Sequence, residues 1–491
     1  MSANFPVQIL ERLSQGGATV AFVVGEEQLS AATVHQLVVR YSARMAAAGV
    51  GPGSRVVIAS RNGPVAYLLG LAVTTLGGAF IDWHPLLPAT AIGVTHFFHF
   101  GALPAGLSVA QAVAVDASWA APSDLPVPPL RGYRDETEIA MVAVSSGSTG
   151  RPKFIARPAS WTARVLAVPR AAYDGGVAIL FPPLSLPAFT IAGWALFNGL
   201  AVHFPDLSAA LAGQMIASQR RGASVVIGSP AQLDEFVGRD TYAPKFQALI
   251  AGGAPVSRAQ VLRWLTQATH LTIGYGNAEG AISASARIGP GWSQDEVGYG
   301  VLPSESVEIV DELGTVVPVG EPGELRCRSP AMAAGYEGDV AATRAVFRDG
   351  WFYPGDLARM RPDGRFVILG RTRDTINLGG VKLNALDLDL AAASVADVVS
   401  ALSFPLDRED GASGRLARLG LVLVKAPGAS ASTVAAAVRA ACLPLVGAEA
   451  ALPEIRFIDS LPLGPTGKPR RQDGPQLFSA GSAAPGEVIS P

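Results

Sequence analysis

Cysteine is nearly missing from this chain of 491 residues: there are two, Cys327 and Cys442, far apart. Two distant thiols make neither a disulfide framework nor a zinc site, so they read as buried thiols of a reducing compartment. Charge is also sparse and balanced, with 16% Asp, Glu, Lys and Arg and a net charge of −2. That leaves no positive excess for nucleic acid and no run that reads as a basic arm. The six histidines are scattered. The pair in His96-Phe97-Phe98-His99 lacks further ligands, so core packing rather than metal is expected there.

Long uninterrupted apolar runs are absent as well, although mean hydropathy is +0.32. From Val177 to Pro205 the chain has no Asp, Glu, Lys or Arg, but Pro182, Pro183 and Pro187 break the first half. A spanning helix needs ~20 continuous apolar residues. Here only 188–202 is left as a helix, so the stretch reads as a buried strand, a loop and a core helix. The start, MSANFPVQILERLSQ, has no basic segment ahead of an apolar block, so no secretory signal is expected and the cytoplasm is the default. A P-loop is missing too. Gly150 is followed by Arg151-Pro152-Lys153, and Gly464-Pro465-Thr466-Gly467-Lys468 has two residues between its glycines where the pattern requires four.

What is present is globular: 49% apolar residues over a length that suggests roughly two to three domains. Strand-like runs alternate with helical ones, as in RVVIAS (55–60) before VAYLLGLAVTTLGGAF (65–80), and SVVIGS (224–229) before AQLDEFVG (231–238). That alternation predicts an α/β fold of layered subdomains. After about 290 the texture becomes alternating and Gly/Pro-punctuated, which predicts hairpins and a small β-barrel-like part. From about 374 the chain reads as a small α+β unit, and FSAGSAAPGEVISP as a disordered tail. No internal repeat is visible.

Five stretches carry the candidate chemistry. The strand-like IAMVAV (139–144) runs into Ser145-Ser146-Gly147-Ser148-Thr149-Gly150-Arg151-Pro152-Lys153. Such a loop offers successive backbone N–H groups, an anion nest, or else it is an ordinary flexible turn. ALIAGGAPVS (248–257) is a strand entering Gly252-Gly253-Ala254-Pro255, where a flat ligand can lie against backbone. LTIGYGNAEG (271–280) ends in Tyr275-Gly276-Asn277-Ala278-Glu279-Gly280. An aromatic ring there suits a base, and a carboxylate suits a magnesium ion carrying phosphates. Asp356 precedes a hairpin that ends in Gly370-Arg371, and it suits the two hydroxyls of a ribose. Lys468 sits in a Gly-framed loop near the C-terminus. The ordinary alternatives are a core Tyr275, a solvated Glu279, a turn-capping Asp356 and an exposed Lys468.

Taken together and in this order, the stretches resemble the adenylate-forming superfamily: acyl- and aryl-CoA ligases, adenylation enzymes and luciferases. The resemblance runs from about residue 20 to about 471. SSGSTGRPK is similar to its phosphate loop, LGGAFIDWHPLLP (76–88) to an upstream signature, GGAP and GYGNAEG to its adenine site and YPGDL to its ribose site. GRTRDTINLGGVKLNALDLD is similar to its hinge and PLGPTGKPRR to its catalytic-lysine loop. The family implies an N-terminal core over 1–372, a mobile C-terminal lid over 373–475 and the tail over 476–491.

The resemblance implies attack of a carboxylate on the α-phosphate of ATP, giving an acyl-adenylate and pyrophosphate. Ser145, Ser148, Thr149 and Lys153 would then hold phosphates, Glu279 a magnesium ion, Tyr275 adenine, and Asp356 with Arg371 the ribose. Lys468 would bridge carboxylate and α-phosphate, and Arg373 would be the hinge about which the lid turns for transfer to a thiol. The strand GGVKL (379–383) would line the thiol tunnel.

Departures from the family pattern are Ala278 for the usual Thr, Arg373 for Asp or Lys, and Gly464 and Thr466 in the lysine loop. PLSLPAFTIAGW, the stretch similar to the start of the family's acyl-pocket helix, also carries no histidine. No acidic residue lies between Asp174 and Asp206 to hold an ammonium, so an α-amino acid is disfavoured and a hydrophobic acid expected. Phe189, Trp194, Gly252, Gly253 and Gly280 are the expected pocket residues. The acceptor is coenzyme A or, alternatively, the phosphopantetheine arm of a separate carrier protein. A non-catalytic nucleotide- or acyl-binding relative is the alternative from another class.

Overall fold

Arg55–Ala59 is a strand whose central residues, Val56, Val57 and Ile58, are β-branched and buried. In the computed structural model, which describes residues 4–60, 63–103, 111–145, 152–166, 168, 173–237, 245–280, 284–378, 381–406, 418–448, 451–461, 470–479 and 488–489, it lies inside a six-stranded sheet. The strand order is Gln111–Ala114, His96–His99, Arg55–Ala59, Ala79–Asp82, Ile139–Ser145, Lys153–Pro158. All pairs are parallel except the last.

A second sheet has eight strands, ordered Ala284–Ile288, Ala268–Tyr275, Phe246–Gly252, Ala223–Gly228, Gly176–Ile179, Val202–His203, Val20–Val24, Glu27–Ser30. It too is parallel, with an antiparallel strand at each edge. Two helices, Gly63–Thr75 and Leu186–Phe197, are apolar all round. Their side chains share one core with Ile58 and Phe80 of the first sheet and Val177, Val202 and Val225 of the second. A helix buried on every side has no polar face to show, which is why neither reads as amphipathic.

The charge-free stretch resolves as expected into strand, loop and helix, but the helix stops at Phe197, short of 202. Gly199 takes φ +71 after the Asn198 cap, and Val202–His203 joins the sheet. Among the described residues no helix is long and apolar enough to cross a membrane.

The β-rich part is an open sheet rather than a barrel. Phe347–Arg348, Trp351–Phe352, Pro322–Arg328, Asp356–Met360 and Phe366–Arg371 follow in order, with Ser306–Val310 added on Pro322–Arg328. The alternation that suggested closure belongs to a sheet with one face on the core around Leu325, Cys327, Phe352 and Phe366.

The smaller C-terminal domain begins with the hairpin Thr375–Leu378 and Val381–Asn384. It then packs helices Ala385–Ala393 and Ala431–Val446 on a sheet ordered Val398–Pro405, Leu419–Lys425, Glu454–Phe457, Val488–Ile489. The expectation of a disordered tail is corrected at two places. Gly474–Ser479 is a short helix with Leu477 and Phe478 packed on Phe404, and Val488–Ile489 pairs with Glu454–Phe457. Both cysteines are free and fully buried. Burial pushes their thiols up, to about 12 for Cys327 and about 11 for Cys442. His96 is buried as well, its ring nitrogens bonded to Thr95 Oγ1 and the Ala48 carbonyl.

Candidate active site

Asp356 opens the strand Asp356–Met360, Arg371 closes the strand Phe366–Arg371, and the antiparallel register sets the two directly opposite each other. Arg371 Nε lies 2.8 Å from Asp356 Oδ1. The second carboxylate oxygen accepts the Tyr275 hydroxyl at 2.5 Å, so one buried carboxylate joins the eight-stranded sheet to the open sheet. Burial, and after it the Asp356 negative charge, push the Tyr275 phenol well above its usual range, so it stays a donor. Its ring meets Phe366 edge-on, with centroids 5.3 Å apart. Arg371 also donates Nη1 to the Pro354 carbonyl at 2.8 Å. Its own carbonyl accepts Asn384 Nδ2 at 2.7 Å, a tie from this strand to the start of the C-terminal domain.

Gly252 pairs with Gly274, which brings the end of Gly252-Gly253-Ala254-Pro255 beside Gly274-Tyr275-Gly276. Gly253 has φ +90, a left-handed conformation that disfavours any side chain, and the strand turns there toward the helix Arg258–Trp264. After Tyr275 the chain turns back. Asn277 Oδ1 accepts the Gly280 N–H at 2.6 Å, and the Ala278 methyl packs against two apolar clusters.

Gly280 was expected to wall a pocket. Instead a Cβ there would lie 2.6 Å from Cys327 Sγ and 2.7 Å from Asn277 Oδ1, so the space is already filled. Gly280→Ala is therefore expected to lower stability by about 1–3 kcal/mol, read from the denaturant midpoint, through overpacking against Cys327 and Phe352.

Glu279 receives the Tyr336 hydroxyl on Oε1 at 3.1 Å, and its carbonyl accepts the Ala333 N–H at 2.8 Å. The Lys153 ammonium rests 4.3 Å from the centre of the same Tyr336 ring. Lys153 and Ser145 are facing residues of the antiparallel pair that closes the Ser/Gly loop. Ser146, Gly147, Ser148, Thr149 and Gly150 lie outside the described residues, as does Lys468. Of the thiol-tunnel strand, Gly379 and Gly380 also lie outside.

Arg157, on the same strand as Lys153, is fully buried, stacks on Trp161 at 5.1 Å and donates Nη2 to the Ala331 carbonyl at 2.6 Å. Burial pulls its guanidinium down to about 10, with the nearby Glu279 carboxylate opposing. Tyr336 and Arg157 escaped the sequence reading. The signal for Arg157 was available, an arginine between apolar residues of a strand in Phe154-Ile155-Ala156-Arg157-Pro158. Beside Tyr336 opens a cleft of about 910 Å³, lined among others by Ser160, Arg164, Ala331, Met332 and Gly335.

Both expected aromatic pocket residues lie on the helix Leu186–Phe197. Phe189 is 1% exposed and packs on Phe80 at 4.4 Å and Tyr67 at 5.1 Å, inside the core. Trp194 is largely buried and donates its indole N–H to the Val168 carbonyl at 3.0 Å. Arg373 lies in the turn Thr372–Asp374, half-exposed and 3.6 Å from Asp374. Asp374 in turn pairs with Arg471, 3.3 Å away, and Arg471 reaches Asp389 at 2.6 Å.

Residues 104–337 match the family model of the AMP-binding enzymes. A feruloyl-CoA synthase of Amycolatopsis is 27% identical over 399 residues, covering 74% of this chain and 78% of that protein. A salicyl-AMP ligase/salicyl-S-ArCP synthetase of Mycobacterium tuberculosis is 28% identical over 434 residues, covering 78% of this chain and 74% of that protein. Among solved structures, the amide bond synthetase McbA of Marinactinospora thermotolerans superposes with a TM-score of 0.79 at 22% identity, over 96% of this chain and 99% of that one. That last likeness is one of fold. With the motif series in sequence order and relatives matched over most of its length, the chain carries an AMP-binding enzyme domain over residues 104–337 and is similar to CoA ligases and adenylation enzymes.

Proposed function

We propose that this protein activates a hydrophobic carboxylic acid, aryl or aliphatic, as an acyl-adenylate at the expense of ATP, releasing pyrophosphate, and passes the acyl group to the thiol of coenzyme A. The observation that carries the reading is the Tyr275–Asp356–Arg371 cluster at the strand ends, with Glu279 and Lys153 grouped around Tyr336 close by. A buried carboxylate between a phenol and a guanidinium is a pre-oriented acceptor for a vicinal diol. Lys153 and the N–H groups of residues 146–150 supply positive charge for phosphates.

Glu279 fits the magnesium ion that accompanies ATP: among the described residues its Oε2 accepts no hydrogen bond, and a single carboxylate is what a cation arriving on a triphosphate needs. When bound, that ion neutralises phosphate charge. Lys468 meets the carboxylate and the α-phosphate, where a compact ammonium stabilises the charge that builds as the new bond forms. Arg373 is the hinge about which residues 373–475 turn before thiol transfer.

A carrier-protein acceptor is the second reading, favoured by the similarity to the Mycobacterium tuberculosis synthetase. The test is pyrophosphate release from ATP and magnesium across fatty, aryl and amino acids, with and without coenzyme A. Stimulation by coenzyme A for one acid class supports the first reading. Release without stimulation, with acyl-adenylate retained on the protein by mass, supports the second. Silence across the panel counts against both and favours a binding role. In the same assay Ala278→Thr is expected to leave release undiminished. A large fall would mean that the site is built around the alanine methyl.

A further inference from the structure

Lys153 and Glu279 reach the phosphate end of the site from different sheets, and one side chain touches both. Tyr336 donates its hydroxyl to Glu279 Oε1 at 3.1 Å, while its ring carries the Lys153 ammonium at 4.3 Å. We propose that Tyr336 is a positioning residue that sets the Glu279 carboxylate and the Lys153 ammonium in fixed relation to each other. The inference rests on the phosphate and metal roles given to those two residues above.

Three features make Tyr336 a rigid reference point. The first is its backbone: its N–H goes to Thr343 Oγ1 at 2.9 Å, and the next residue, Glu337, donates to the Phe154 carbonyl at 2.8 Å. Phe154 follows Lys153, so the strand that carries the lysine is fastened directly beside the ring it rests on. The second is the same segment's hold on Glu279 through the Ala333 N–H, which fixes the main chain as the phenol fixes the side chain. The third is chemical. In the contact with Glu279 the Tyr336 hydroxyl can only donate, since an ionised carboxylate has no proton to give. A donor on Oε1 leaves the carboxylate one oxygen for a cation and fixes the direction in which it points.

Calorimetric titration of ATP, with magnesium and with EDTA, tests this without turnover. Tyr336→Phe keeps the ring under Lys153 and deletes only the hydroxyl. It is expected to weaken binding of ATP with magnesium about tenfold and to leave metal-free ATP binding unchanged, a hydrogen bond to a charged group being lost. Tyr336→Leu removes the ring as well and is expected to weaken both titrations severalfold. Should the leucine variant not fold, the phenylalanine variant alone decides. Glu279→Gln is the reference, and adding Tyr336→Phe to it is expected to cost nothing further. Wild-type affinity in Tyr336→Phe with a loss in Glu279→Gln would overturn the proposal and leave the role of Glu279 standing. Wild-type affinity in both would overturn the role of Glu279, and the proposal with it.

Discussion

Asp356→Ala is expected to lower acid-dependent pyrophosphate release by about 10²-fold or more and to destabilise the fold by about 2–3 kcal/mol. The second effect follows from what the carboxylate holds. Tyr275 would keep a buried hydroxyl with no acceptor, and Arg371 would lose its carboxylate partner at 2.8 Å. The arginine is 42% exposed on its side chain, so water takes up its share and the loss stays below that of a fully buried pair. Asp356→Asn separates the two effects. Its amide oxygen still accepts one hydrogen bond, so stability is expected to recover in large part, while the loss of charge and of one acceptor keeps release low. Equal recovery of both would show that the carboxylate serves the fold alone. Thermal unfolding beside pyrophosphate release on the same three proteins makes the comparison.

Lys468→Ala is expected to cut pyrophosphate release by about 10²- to 10³-fold, the usual result of deleting a group that meets charge developing in the transition state. Transfer from supplied acyl-adenylate to coenzyme A is expected to remain largely intact, because that step no longer needs the α-phosphate charge neutralised for attack. The assay is the two half-reactions run separately on one preparation. Equal loss in both would remove Lys468 from the adenylation step and make it a general requirement of the lid. Replacement by arginine is expected to restore little, since a planar guanidinium does not reproduce a compact point charge.

The hairpin between Asp356 and Arg371 was legible in the sequence because it is local, Phe366–Arg371 returning along Asp356–Met360 within a few residues, whereas grouping the two side chains came from the family resemblance. The parallel strands of both sheets were legible for a related reason, being short β-branched runs between helices. Tyr336 was not, since its partners lie 57 residues away at Glu279 and on the strand Lys153–Pro158 at Lys153, and a lone tyrosine has no period. Phe189 shows a different limit. On a helix that is apolar all round, the sequence cannot say which face lines a pocket and which joins the core, and this ring joins the core. The supposed barrel failed because alternation specifies strands, while closure depends on which edges meet. The antiparallel pairings of the six strands that include Pro322–Arg328 leave the sheet open.

Arg471 follows the lysine loop by a few residues, and its guanidinium is bonded to Asp374, next to the proposed hinge, and to Asp389 in the helix Ala385–Ala393. Residue 471 is thus tied to the turn Thr372–Asp374, where the proposed lid begins. If the lid turns about Arg373 as proposed, this strut would carry the turn from Asp374 to residue 471, much as a brace ties the base of an arm to a point farther along it. An alteration at position 471 would cut that link while leaving Arg373, Asp374 and Lys468 chemically intact, so the position could matter to the proposed lid without touching a ligand.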